Sequence, residues 1–147
     1  MRGEPLRLLP ALPVLLFAAV GLAAGAARSV DINSLRGTVF ASYRAEKYDE
    51  AAEAAAQYLE AAREQGRTGR EYAAVAFILG HSRYELHRRS GEPYDGDYRG
   101  DVVEPIELSL RVLQDDPAFK NMLLANAYYE LWVQKGRRDA DAERQAQ

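Results

Sequence analysis

Between Leu35 and Ala62 the chain has no proline and a single glycine, Gly37, and its apolar residues return at three- and four-residue intervals. That rhythm is the period of a helix with one buried face. Within it, Lys47–Gln65 (KYDEAAEAAAQYLEAAREQ) is rich in Ala, Glu, Leu and Gln, the residues most favourable to helix. Tyr48, Ala51, Ala52, Ala55, Tyr58, Leu59 and Ala62 make its apolar face, and the alanines let a neighbouring helix approach closely. Gly66–Gly69 ends this helix, and Thr68 with Glu71 has the spacing of a capping box for the next one. That helix, EYAAVAFILGHSRYELHRR, is expected to bury Tyr72, Ala73, Ala76, Phe77, Leu79, Gly80 and Tyr84.

The same reading extends to the end of the chain. Ser90–Asp101 (SGEPYDGDYRGD) is a loop, dense in glycine and aspartate. Asp101, with Glu104 three residues on, is expected to cap a fourth helix, with Pro105 in its first turn where a missing N–H costs little. Val103, Ile106, Leu108, Leu110, Val112 and Leu113 supply its apolar surface. Asp116 caps a fifth helix with Pro117 at its first position. That helix carries Phe119, Met122, Leu123, Leu124, Tyr128, Leu131 and Trp132. After Gly136 the polar RRDADAERQAQ is expected to fray or to form a solvated helical end. No stretch alternates with period two, so the expected fold class is all-α, built from antiparallel helix pairs.

The 147 residues suit one domain, and the absence of cysteine excludes disulfides, thiolate metal sites and a thiol nucleophile. Nineteen basic against 22 acidic residues give a net charge of −3, the wrong sign for a nucleic-acid module. Residues 1–26 read as a signal peptide. Arg2 and Arg7 precede an apolar run from Leu8 to about Leu22, and Ala24-Gly25-Ala26 offers the small-x-small pattern of a cleavage site. The alternative is an uncleaved membrane anchor, because Leu8–Ala27 is nearly long enough to span a bilayer. Pro10, Pro13 and the Ala/Gly-rich end favour cleavage. Removing the segment takes away two arginines and one glutamate, so the remaining domain is more acidic.

Three stretches resemble one another. VFASYRAEKYDEAAEAAAQYLEAA, AFILGHSRYELHR with the later EPIELSLRVLQDDP, and MLLANAYYELW align on Tyr43, Tyr84 and Tyr129, at intervals of 41 and 45 residues. Leu123–Leu131 (LLANAYYEL) is similar to the first-helix pattern of the tetratricopeptide repeat. Leu79-Gly80 is the Leu-Gly pair at the same place in the second unit, Tyr48-Asp49-Glu50-Ala51 is like the Tyr-x-x-Ala that opens a second helix, and Asp116-Pro117 falls where a unit-closing proline belongs. The intervals exceed the 34-residue unit, and the excess lies in the Gly66–Gly69 and Ser90–Asp101 loops. There are departures: Thr38-Val39 replaces Leu-Gly in the first unit, that unit lacks a closing proline, and Pro105 replaces the usual alanine. The resemblance covers about residues 30–135. It implies a short α-solenoid over residues 27–136, with 137–147 as a polar tail. An unrelated antiparallel bundle with similar apolar faces is the alternative.

Chemistry-bearing motifs are scarce. The serines lack a Gly-x-Ser-x-Gly elbow. His81 and His87, six apart, fall on different helix faces, unlike a His-Glu-x-x-His zinc helix. His81 and Glu85 have the spacing to share one metal, but a solvated or groove-lining histidine is the simpler reading. Asp95, Asp97, Gly100 and Asp101 partly copy a calcium loop, yet Arg99 and Ile106 stand where ligands belong. No cofactor, metal or catalytic residue is expected, and the chain does not read as an enzyme.

The resemblance implies that the first helices line a concave groove, through Asn33, Arg36, Phe40, Tyr43, Arg44, Phe77, His81, Tyr84, Glu85, Met122, Asn126 and Tyr129. Spacing independently puts Phe40, Tyr43 and Arg44 on one face, then Phe77, His81 and Tyr84, then Met122, Asn126 and Tyr129. An aromatic base with polar tips suits peptide recognition, although each tyrosine has an alternative place inside the array. Tyr94 and Tyr98 are expected to be exposed on a partner-contact loop, or else folded back over the second helix pair. Leu131, Trp132 and Val133 are expected as an open face that drives homodimerisation. Sixteen arginines against three lysines and the abundant alanine hint at a GC-rich bacterial genome and a periplasmic location. The expected function is therefore an exported repeat module that binds a protein or peptide. A structural bundle, or the regulatory subunit of a separate envelope enzyme, is the alternative.

Overall fold

The computed structural model describes residues 31–146, and the expected signal segment lies outside them. The described residues form five helices and no strand: α1 Ile32–Arg44, α2 Tyr48–Glu64, α3 Arg70–Ser90, α4 Glu104–Val112 and α5 Pro117–Gln145, with a π-helical turn at Arg99–Val103 leading into α4. The all-α expectation holds. No described helix is long and apolar enough to cross a membrane.

α1 starts at Asp31, whose carboxylate accepts from the Asn33 N–H at 3.0 Å. A three-residue turn returns the chain into α2, with Glu46 in the left-handed region at φ 56°. The alanine face of α2 (Ala51, Ala55 and Ala62) is fully enclosed, so α2 packs closely between α1 and α3. Val39, Tyr58, Leu59, Val75, Ile78 and Leu79 complete this first core.

The expected capping box at Thr68 and Glu71 does not form. Gly69 occupies the cap of α3, with no side-chain cap bond. Glu71 instead accepts a short hydrogen bond from the Tyr58 hydroxyl and pairs with Arg36 at 3.0 Å, tying α1, α2 and α3 together. Burial and the Glu71 bond push the Tyr58 hydroxyl up to about 12, which keeps it a neutral donor.

α3 ends at Gly91, whose φ of 68° suits a residue without Cβ. The expected cap at Asp101 is also displaced. The helical run begins earlier, with the Asp101 N–H bonded to the Asp97 carbonyl at 2.8 Å, and Asp101 lies inside the π turn. Pro105 therefore stands in the interior of a longer helical run, and the widened turn accommodates it. Its missing N–H leaves the Asp101 carbonyl without the usual partner. Arg83 comes within 3.5 Å of that carbonyl while bonding the Asp101 carboxylate at 2.8 Å.

Gly80 sets the approach of α3 to α4. A Cβ there would stand 2.8 Å from the Val102 carbonyl and 3.0 Å from Ile106, so only glycine permits this contact. Behind it lies a second core of Tyr98, Val102, Val103, Ile106, Leu123 and Ala127.

α5 starts as expected, Asp116 accepting from the Phe119 N–H at 3.4 Å with Pro117 at the first turn. It then runs unbroken through Gly136 to Gln145, so the polar end continues the helix as an almost wholly exposed stretch. Of its expected apolar residues, Leu123 is buried and Phe119, Leu124 and Leu131 are half-buried. Met122, Tyr128 and Trp132 are exposed.

Candidate functional site

α1, α3 and α5 present aromatic side chains to one another, and His81 is the hub. On α1, Phe40 and Tyr43 lie one turn apart; on α3, Phe77 and His81 do the same. The His81 ring sits 5.7 Å from Tyr43, 5.9 Å from Tyr48, 5.7 Å from Phe77 and 5.5 Å from Phe119, edge to face with Tyr43 and Phe119 and tilted to the other two. These separations lie within the favourable range for ring pairs.

The Tyr43 hydroxyl and His81 Nδ1 are 2.5 Å apart. With the proton on Nε2, the neutral imidazole accepts from Tyr43 through Nδ1. Burial pushes Tyr43 up to about 12, with Tyr48 and Glu85 adding to it. Burial also pushes His81 below its ordinary value, overcoming the opposing pull of Glu85, whose carboxylate is 3.8 Å from Nε2. Glu85 in turn is held below the usual carboxylate range, chiefly by the Arg88 hydrogen bond at 2.7 Å. Arg89 lies 4.6 Å above the Tyr48 ring. The cluster is thus a neutral Tyr–His pair held among the rings of Tyr48, Phe77 and Phe119, with its carboxylate already partnered. It is built to hold its shape, because the Tyr43–His81 bond fixes both rings against these neighbours.

A cleft of about 400 Å³ opens beside this cluster, lined by Phe40, Tyr43 and Arg44 of α1, Phe77 of α3 and Phe119 of α5. Lys120 lines it too, 3% exposed, with its ammonium 5.0 Å above the Phe77 ring and 2.7 Å from the Asp115 carboxylate. That bond holds Asp115 below the usual carboxylate range. Asn33, Arg36, Phe40 and Arg44 line a shallower, adjoining cleft along α1.

The expected groove residues do not share one groove: Asn33 and Arg36 line only the cleft along α1, and most of the rest divide between two others. Phe40, Tyr43, Arg44 and Phe77 meet in the first. Tyr84, Asn126 and Tyr129 meet in another of about 400 Å³, with His87, Glu130 and Arg137, and it shares no lining residue with the first. His81 is enclosed, with its ring beneath the first cleft's aromatic wall. Glu85 is occupied by its arginines, and Met122 stands exposed on α5. Tyr43, Tyr84 and Tyr129 therefore form no single open stripe: Tyr43 and Tyr84 are half-buried and Tyr129 is 66% exposed.

The expectation of an exposed contact loop at Tyr94 and Tyr98 is corrected. Tyr98 is 1% exposed and Tyr94 half-buried, and their rings meet each other at 5.0 Å and His87 at 5.5 Å. The loop folds back because its rings pack on His87 and on the second core. Tyr94 also donates to Asp101 of the π turn at 2.9 Å, and His87 on the other side reaches Glu130 at 3.1 Å. Burial and the Asp101 bond push Tyr94 up to about 12, and burial raises Tyr98 further. Asp101 is thus committed to Arg83 and Tyr94, and among the described residues no group of three or more His, Asp or Glu side chains gathers to hold a metal.

Phe119 and Lys120 complete the first cleft without having been expected there. Phe119 is legible only as one apolar residue of α5, and a lysine after an aspartate cap gives no sign of burial. Of the expected open face on α5, Leu131 packs against the second core, whereas Trp132 is 70% exposed and stacks near Tyr129 at 6.1 Å.

No protein-family model matches the chain, and no characterised protein or solved structure matches it.

Proposed function

We propose that this protein is an exported tetratricopeptide-type repeat module that binds a peptide or another protein in a cell-envelope or secreted assembly, without catalysis. The observation that carries this reading is the meeting of aromatic side chains from α1, α3 and α5 at one open cleft. In stacked helix pairs the first helices share a face, and side-chain contacts run from Tyr43 to His81 and from His81 to Phe119 in that order. The close approach at Gly80 is what tight packing within the second pair requires. A cleft whose rings are fixed by neighbours binds with little ordering cost, which is the benefit of pre-organisation.

The test is affinity capture from a cell-envelope extract with the purified protein and an Arg44→Glu/Tyr129→Ala double variant, both side chains being exposed. A partner retained by the parent and lost from an equally folded variant is expected. Equal retention by both would overturn the reading. Export is checked by the intact mass of the protein recovered from the envelope or medium, expected to begin at Ala27.

The exposed Tyr129–Trp132 pair favours a second reading, self-association through α5. Trp132→Glu is then expected to convert a dimer into a folded monomer in light scattering. A parent that is already monomeric, or an unchanged mass in the variant, refutes it.

A further inference from the structure

The cleft between α1, α3 and the start of α5 has most of its charges partnered. Lys120 is buried in its wall, but its charge is met by Asp115 at 2.7 Å and by the Phe77 ring. The Asp116 carboxylate accepts from the Phe119 N–H at the helix start. Arg36, in the adjoining cleft, is paired with Glu71 at 3.0 Å. Arg44, exposed at the last turn of α1, lines both clefts and has no ion-pair or hydrogen-bond partner among the described residues. The floor is therefore aromatic and electrically quiet, and one uncompensated cation stands at its rim.

We infer that this cleft is the anchor subsite of the binding surface. It takes one aromatic or branched aliphatic side chain of an extended peptide, with an adjacent Asp or Glu of that peptide placed on Arg44. This rests on the peptide-binding reading above and adds its specificity. A volume of about 400 Å³ is at the small end for a ligand site and suits a side chain. Phe40, Phe77 and Phe119 come from three different helices, so the anchor gains apolar contact on several sides, as buried interface anchors do. The inward-facing polar groups are already satisfied, so nothing in the floor selects a polar side chain. Arg44 supplies the missing complement, a carboxylate, which it can meet with two parallel N–H bonds.

The test is selection of the purified protein against a random linear dodecapeptide phage library, repeated with Arg44→Glu and Tyr129→Ala. The parent is expected to enrich sequences in which Phe, Trp, Leu or Ile stands next to Asp or Glu. Arg44→Glu, at an exposed position, is expected to keep the apolar anchor and switch the neighbour to Lys or Arg. Its affinity for a synthetic acidic peptide from the first selection should fall by roughly tenfold, while Arg111→Glu, the same charge reversal at an exposed α4 position that lines neither cleft, leaves that affinity within about twofold. Enriched peptides that lack the apolar–acidic pair, or whose binding survives Arg44→Glu and is lost with Tyr129→Ala, overturn the subsite and leave peptide binding standing. Failure to enrich any peptide overturns both.

Discussion

His81 shows how a single residue type acquires its role from its surroundings. Its spacing from Phe77 and its place one helix away from Tyr43 are readable in the sequence. The Phe119 ring that closes the cluster is not, because that contact joins residues 38 positions apart across a loop of unusual length. Tyr43→Phe removes the hydroxyl that satisfies Nδ1 and leaves a nearly enclosed acceptor alone, at a cost of about 1 kcal/mol in denaturant unfolding. The protonation of His81 has a definite sign. Burial lowers its folded-state value below 6.5, so the unfolded chain takes up a proton first. Stability is therefore full above about pH 6.5, falls as pH drops through and below that value, and levels off beneath the folded-state value. Glu85, Glu130 and Asp115 are depressed from 4.5, 4.5 and 3.8, so the stability they contribute fades only at lower pH. Urea midpoints measured at pH 7.5 and 5.5 should thus decline in the parent and decline less in His81→Leu. An equal decline in both would assign the effect to another group.

At the scale of single helices, existence and type were legible, and of the three expected caps only the one at Asp116 was. α2 and α5 follow directly from alanine-rich periodicity and from Asp116-Pro117. The Thr68–Glu71 and Asp101–Glu104 signals fail for one shared reason, that tertiary partners outcompete a local cap. Glu71 is taken by Tyr58 and Arg36, and Asp101 by Arg83 and Tyr94. Two helical glycines make the same distinction testable. At Gly80 a methyl group would collide with the Val102 backbone carbonyl, which cannot step aside as a flexible side chain would. Gly80→Ala should cost roughly 1–3 kcal/mol through overpacking. Gly136 lies inside exposed α5, and a methyl group added there would meet nothing within 4 Å. Gly136→Ala should stabilise by about 0.5–1 kcal/mol, since alanine loses less backbone freedom on entering a helix. Thermal melts of the two variants should move in opposite directions.

For the molecule as a whole, the apolar pattern identified most core positions but not their division into two. α1, α2 and the first half of α3 enclose one core; the π turn, α4 and the first half of α5 enclose the other, with Phe77 and Tyr84 of α3 packed against it. The residues on either side of that division look alike in sequence, because valines and alanines serve both. What separates the cores is Gly80, which draws α3 onto the π turn and gives that helix two partners on opposite faces. Cores that meet mainly along one helix should open separately, since opening one leaves most contacts of the other intact. Ile106, fully enclosed in the second core, is the site to separate them. Ile106→Ala should lower stability by roughly 2–4 kcal/mol through the lost methylene contacts and the cavity. In native-state hydrogen exchange the amides of 99–112 and of the first half of α5 should then exchange faster, while those of α1 and α2 keep their protection. Equal acceleration in α1 and α2 would mean that the two cores open as one unit, with α3 passing the whole loss from one side to the other.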